Sequence, residues 1–271
     1  MKNKGRNKSP DRDKTGFCQM FNNYLPVVLL LMIALLYGCA GGAVSAKAVK
    51  RSNAHYMLGT TFITQNRLQD AFLAFQKSIV ENPENKDAFN MLGYVYFMLG
   101  QYDEALENFE KAVLIDPNFS EAYNNMALAY NSLKKWDESI ASCKKALENP
   151  LYTTPEFALN NMGYAYLMKG DYETAIKTLK NALMRRKLPQ ASYNLALTYI
   201  RLGKEPKAVR VLEMLVGIAP KYVDAHFELA MLYKKLGEPE KAKKHFTEAI
   251  NADPDSELSG RAEEELQKLR R

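Results

Sequence analysis

The sequence predicts an all-α superhelix, an α-solenoid of six helix-turn-helix repeats closed by a C-terminal capping helix. Three observations predict it. Small residues Gly59, Gly93, Ala127, Gly163, Ala196 and Ala230 recur at spacings of 34, 34, 36, 33 and 34, a period at which paired helices repeat in solenoids. Each period carries two apolar stripes of helical spacing. Glycine separates the stripes in most repeats, and proline follows the second one.

The second repeat, residues 86 to 119, shows the elements in order. Phe89, Leu92, Gly93 and Tyr96 fall at i, i+3, i+4 and i+7 on one helix face, and Gly100 breaks that helix. Tyr102, Ala105, Phe109 and Ala112 form a second apolar face, which Pro117 ends. Two antiparallel helices approach closely only where side chains are small. Gly93 and Ala105 supply that contact within the pair, and Ala112 supplies it against the next repeat. Phe89, Tyr96 and Phe109 fill the space around them.

The frame divides the chain into repeats at 52–85, 86–119, 120–155, 156–188, 189–222 and 223–256, with a charged capping helix at 257–271. Leu215 stands where a small residue is usual and Cys143 where phenylalanine is usual. A polar cap suits an end repeat, whose last face has no neighbour to cover it. This repeat resembles the tetratricopeptide (TPR) hairpin, which implies a binding scaffold.

The N-terminus reads differently. Leu25 to Leu36 is an apolar run of 12 residues, short of the ~20 that a spanning helix needs. A basic stretch precedes it, so residues 1–38 are expected to be a secretory signal peptide. Leu36-Tyr37-Gly38-Cys39 resembles a bacterial lipobox, which implies cleavage before Cys39 and a covalent lipid on that cysteine; no other cofactor is expected. Ala40 follows in place of Asp, which by the proteobacterial sorting rule implies the periplasmic face of the outer membrane. Residues 39–51 are expected to be the lipidated cysteine and a flexible tether. Cys18 would leave with the signal and Cys143 lies on an apolar helix face, so no disulfide is expected in the mature chain.

The formal charge is +6, but residues 1–38 hold six Lys/Arg against two Asp, which leaves +2 on the rest. That is no nucleic-acid footprint, because such a surface needs clustered excess cation. There is no phosphate loop, no HExxH and no Gly-x-Ser-x-Gly. His55 and His226 sit in equivalent repeat positions, which argues for packing. No enzyme activity and no metal site are expected.

A groove is the expected site. First helices of successive pairs line the concave face of such a solenoid. Matching positions place Tyr56, Asn90, Asn124, Asn160 and Tyr193 there, followed one residue on by Asn125, Asn161 and Asn194. Tyr94, Phe97, Leu128, Tyr164, Leu167 and Leu197 come further along. Carboxamides donate and accept hydrogen bonds, so the asparagines are read as clamps on an extended peptide backbone. The aromatic and aliphatic side chains are read as its apolar floor. The groove lacks the Lys/Arg set that would clamp a terminal carboxylate.

Residues 36 to 256 resemble the type IV pilus biogenesis/stability lipoproteins, the PilW/PilF/Tgl-like pilotin family. The carriers are the lipobox, six repeats, and a lengthened third joint: the 36-residue interval from Ala127 to Gly163, with Asn149-Pro150-Leu151-Tyr152, Pro155 and Asn161-Met162-Gly163. Ala127 departs from the glycine often found there. The resemblance implies an outer-membrane lipoprotein that binds a secretin subunit and promotes its localisation and assembly for the pilus. The competing expectation is a general periplasmic TPR scaffold serving another envelope complex.

Overall fold

The structure is a computed structural model that describes residues 44–269. The expected signal peptide, Cys39 and the last two arginines lie outside the described residues. Thirteen helices occur among the described residues, with no strand. They are α1 (Ala46–Thr64), α2 (Leu68–Glu81), α3 (Lys86–Met98), α4 (Tyr102–Ile115), α5 (Ser120–Ser132), α6 (Trp136–Glu148), α7 (Pro155–Lys169), α8 (Tyr172–Arg185), α9 (Pro189–Arg201), α10 (Glu205–Ile218), α11 (Val223–Lys235), α12 (Pro239–Ala252) and α13 (Glu257–Leu269). No helix among the described residues is long and apolar enough to cross a membrane.

The expected tether is helical from Ala46 onward, which corrects the reading of a flexible segment to residue 51. The physical reason is local. Ala, Lys and Arg dominate residues 46–51 and are strong helix formers. Ser45 then caps the helix, its Oγ accepting from the Ala48 backbone N–H at 3.2 Å.

Each hairpin closes on one left-handed residue at the same register position. Asn66, Gly100, Lys134, Gly170, Gly203 and Gly237 have φ between 57° and 83°. Four are glycine, the residue for which that conformation carries no Cβ penalty. The joints between hairpins use a second device. Asn82, Asp116, Asn149 and Asp253 each precede proline, and the side-chain oxygen of each accepts from the backbone N–H two residues on. This Asx turn ends the second helix and sets the chain direction for the next hairpin.

The core repeats with the hairpin. Phe75, Phe109, Cys143, Leu179, Leu212 and Phe246 hold one register position and are completely buried. In three hairpins the facing residue is glycine. A Cβ on Gly93 would lie 2.7 Å from the Phe109 ring and 2.9 Å from the Ala105 carbonyl oxygen. Ala112 packs with Phe119 at the joint and with Ala122 of the following repeat, as its position predicts. Leu215 is fully buried, so a larger side chain is accommodated there. Burial pushes the Cys143 thiol up to about 12, as befits a packing residue rather than a nucleophile.

The lengthened third joint is ordered by its own side chains. Tyr152 is buried against Ala146, Ala158, Tyr123 and Leu147. Asn149 donates from Nδ2 to the Asn118 carbonyl at 3.0 Å, tying this joint to the preceding one. Leu151 between them is 83% exposed. First helices of successive hairpins touch one another, α3 with α5, α5 with α7 and α7 with α9. Their contact line carries the candidate site.

Candidate groove and its asparagine ladder

The asparagines bond to each other across the repeats. Asn125 donates to Asn90 Oδ1 at 2.9 Å, Asn161 to Asn124 Oδ1 at 3.0 Å, and Asn194 to Asn160 Oδ1 at 3.0 Å. The rule is uniform: the second asparagine position of one repeat donates to the first position of the repeat before it. This bond forms only where both positions are asparagine. At one end the series passes to Tyr56 and Met91, at the other to Tyr193 and Glu228.

The run extends at its C-terminal end. Gln190 donates to Asn194 Oδ1 at 3.4 Å, and the Tyr222 hydroxyl donates to Gln190 Oε1 at 2.8 Å. Asn131 adds a second tie between α5 and α7, donating from Nδ2 to the Asn161 carbonyl at 3.1 Å. Its Oδ1 is buried without a partner among the described residues. The ladder therefore corrects one feature of the sequence reading. The carboxamides first serve to lock neighbouring repeats, and only their remaining valences face a ligand. Asn90 and Asn194 are 6% and 2% exposed, so little of either is open to one.

Two clefts lie along this line. One, of about 410 Å³, is lined by Leu128, Asn131, Ser132, Asn160, Asn161, Tyr164, Gln190, Tyr193, Asn194 and Leu197. Seven of these are groove residues expected from the sequence. Asn131, Ser132 and Gln190 were missed. The other cleft, of about 1060 Å³, includes Tyr56, Asn90 and Met91 with the Asp116–Phe119 and Asn149–Leu151 joints. It also carries Lys86, Asp87, Glu121, Lys145 and Glu148. Lys86 pairs with Asp116 and lies over the Phe119 ring; Lys145 pairs with Glu148.

Leu167 is 5% exposed within the core, which corrects its placement in the groove; it sits one helical turn past Gly163, on the side facing α8. Tyr94 and Phe97 are half-buried, stack at 6.3 Å and pack against the second-repeat core, with Phe97 also on Tyr102. Tyr164 meets Trp136 edge-on at 6.1 Å. Burial first, then nearby Glu228, Asp224 and Tyr222, hold the Tyr193 phenol well above its ordinary range, so it stays neutral. Burial also raises the Glu228 carboxyl, against the opposing pull of Arg261 and Arg201. Among the described residues no cluster of three or more potential metal ligands occurs.

Comparison with known proteins agrees with this architecture. Tetratricopeptide repeat family models match residues 74–107, 93–134, 120–149, 160–223 and 223–256. The human intraflagellar transport protein 88 homolog is 30% identical over 113 residues, 38% of this chain and 13% of that protein. The human protein O-mannosyl-transferase TMTC2 is 32% identical over 100 residues, 35% of this chain and 12% of that protein. The chain thus spans about an eighth of these curated relatives. Among solved structures, PilW, described as a widely conserved type IV pilus biogenesis factor, superposes with a TM-score of 0.71 at 25% identity, covering 78% of this chain and 97% of PilW. Pseudomonas aeruginosa PilF superposes at 0.69 and 17% identity, covering 81% and 99%. The Cut9–Hcn1 assembly also reaches 0.71, at 18% identity, but only 42% of that chain is covered. The chain is a tetratricopeptide repeat protein with a PilW/PilF-like solenoid.

Proposed function

We infer that this protein is a type IV pilus biogenesis scaffold, an outer-membrane lipoprotein that binds a secretin segment in its groove and promotes secretin localisation and assembly. One observation carries the reading. PilW is matched over nearly its whole length, 97%, at 25% identity, whereas Cut9–Hcn1 is matched over 42% of its chain at an equal score. Other tetratricopeptide solenoids are also covered nearly end to end, the Parabacteroides merdae protein at 97% among them, so the weight falls on the combination of coverage, a TM-score of 0.71 and 25% identity that PilW shows. The lipobox ending in Cys39 supports the membrane placement, and the ordered third joint supports the family resemblance.

The mechanism is tethered capture. Lipid on Cys39 concentrates the scaffold in the plane of the target membrane, which raises the effective concentration of cargo without new contacts. Two or more acyl chains give the lasting attachment this requires. The groove presents carboxamides already oriented by the ladder, so their own side-chain ordering adds little to the entropic cost of binding.

The test is the state of the secretin in outer membranes with and without this gene, assayed as heat-resistant multimers. Loss of multimers with accumulation of monomer is the expected result. Unchanged multimers would replace this reading with a general periplasmic scaffold. Cys39→Ser is expected to retain soluble binding and lose delivery; equal assembly with that variant would remove the lipid from the mechanism. Asn125→Ala combined with Asn161→Ala is expected to weaken partner affinity, and unchanged affinity would take the groove out of it.

A further inference from the structure

The two clefts of the groove differ in charge. The cleft over α3, α5 and their joints carries Lys86, Asp87, Asp116, Glu121, Lys145 and Glu148. The cleft over α5, α7 and α9 has ten lining residues and not one formal charge, in a chain where charged residues make up 25%. Its walls are carboxamides, two phenols, two leucines and a serine. The Tyr193 phenol is held neutral by its burial, so titration does not add charge there.

The ladder also fixes which way the carboxamides point. Asn160 accepts at Oδ1, and Asn161 donates from Nδ2. The second lone pair and the free amide hydrogens of such groups remain for a ligand. Asn160 Nδ2 and Asn161 Oδ1 have no hydrogen-bond partner among the described residues. Each residue is 9% exposed, and in kind these groups suit a peptide carbonyl and a peptide N–H. A charged side chain in the same cleft would lose hydration and find no counter-ion among the ten lining residues, a burial that proteins avoid. Neutral side chains suffer no such loss.

On this basis we propose that the α5–α7–α9 cleft is a selectivity element that admits an extended, uncharged peptide stretch and rejects one carrying Lys, Arg, Asp or Glu. The stretch is short. Packed helices lie ~8–10 Å apart, so three first helices span about 20 Å, or about six residues at ~3.3 Å each. Charged residues of the same partner fall outside it, toward the mixed-charge cleft on one side and Asp224 and Arg201 on the other. The inference rests on the groove being the partner site and adds the chemistry of what it holds.

The experiment is selection of a phage-displayed random 12-residue peptide library on the purified full-length protein, followed by a lysine scan of the bound sequences. Enriched peptides are expected to share an uncharged block of about six residues. Lysine or glutamate inside the block should weaken binding at least tenfold, and outside it much less. Ser132→Asp, at an exposed lining residue, should shift the selection toward lysine inside the block while the thermal transition stays unchanged. Charged residues at library frequency, a lysine scan without position dependence, or no enrichment at all would each overturn the proposal. Neutral peptides that bind while the secretin does not would leave the cleft chemistry standing and remove the secretin from the reading.

Discussion

Asn125 donates its side-chain amide to Asn90 Oδ1 at 2.9 Å, 35 residues back along the chain. The bond crosses the joint between the second and third repeats. Two more bonds of the same kind follow, Asn161 to Asn124 and Asn194 to Asn160. In a solenoid each repeat touches only its neighbours, so interface contributions largely determine stability. A half-buried hydrogen bond contributes ~0.5–1.5 kcal/mol net. The Asn125→Ala and Asn90→Ala variants should therefore each lower stability, and their double-mutant cycle should show coupling of about that size in urea unfolding. Strict additivity would mean that the bond adds nothing to the joint.

Glycine at the hairpin crossing gives a ranked prediction. Alanine in a helix interior gains ~1 kcal/mol of propensity over glycine, so the sign depends on what the new Cβ meets. At Gly93 it meets the Phe109 ring and the backbone oxygen of Ala105. At Gly163 it meets only side-chain atoms of Leu179, at 2.6 and 2.7 Å. Leucine can turn aside and a backbone carbonyl cannot. Gly93→Ala should be destabilising by about 1–3 kcal/mol, and Gly163→Ala much less so. Phe109→Leu should partly rescue Gly93→Ala. Equal transition midpoints for the two alanine variants would contradict the role of the Ala105 carbonyl.

These two cases also show what the sequence makes visible. Helical hairpins, their period and the small-residue crossings are legible because each rests on a pattern repeated six times. The ladder is harder, because a carboxamide satisfies a peptide and another carboxamide equally well. Its signal was the offset: donors and acceptors sit in adjacent register positions, one repeat apart. Asn131 was detectable too, since it stands where four of the other five repeats carry Ile63, Phe97, Leu167 or Ile200, Lys234 being the exception. Leu167 was misplaced because it lies only about 60° around the helix from the groove residue Tyr164, close enough to exchange groove for core. The tether was misread from small residues alone, when Ser45 and the following Ala and Lys favour a helix.

Lys134 occupies the left-handed closing position that glycine fills in four hairpins, with φ of 59°. A non-glycine residue there carries a Cβ clash of roughly 1–2 kcal/mol, offset partly by the greater unfolded-state freedom of glycine. Lys134→Gly is expected to raise the thermal midpoint by a few degrees, corresponding to at most about 1 kcal/mol. Asn66, also left-handed at φ 57°, should gain less from the same change, because asparagine tolerates this region. A lowered midpoint for Lys134→Gly would show that the lysine side chain contributes contacts outweighing the strain.

His245 makes the stability of the last two repeats depend on pH. Burial first, then the neighbouring His226 and Lys244, lower its pKa to about 4, while Glu248 and Glu213 pull the other way. Its Nδ1 lies 3.1 Å from His226 Nδ1, and the Tyr233 ring stacks on it at 5.7 Å. The unfolded chain titrates near the ordinary histidine value of 6.5. As pH falls below that value, the unfolded state takes up a proton that the folded state does not, and the linkage favours unfolding. The contribution is therefore complete above about 6.5 and lost progressively toward about 4. His245→Gln should flatten that part of the midpoint-against-pH curve, and His226→Gln should move it by removing the neighbouring ring. Calorimetric scans across this range decide the matter: a wild-type midpoint that holds level down to pH 4 would show that the folded site accepts the proton as readily as water does.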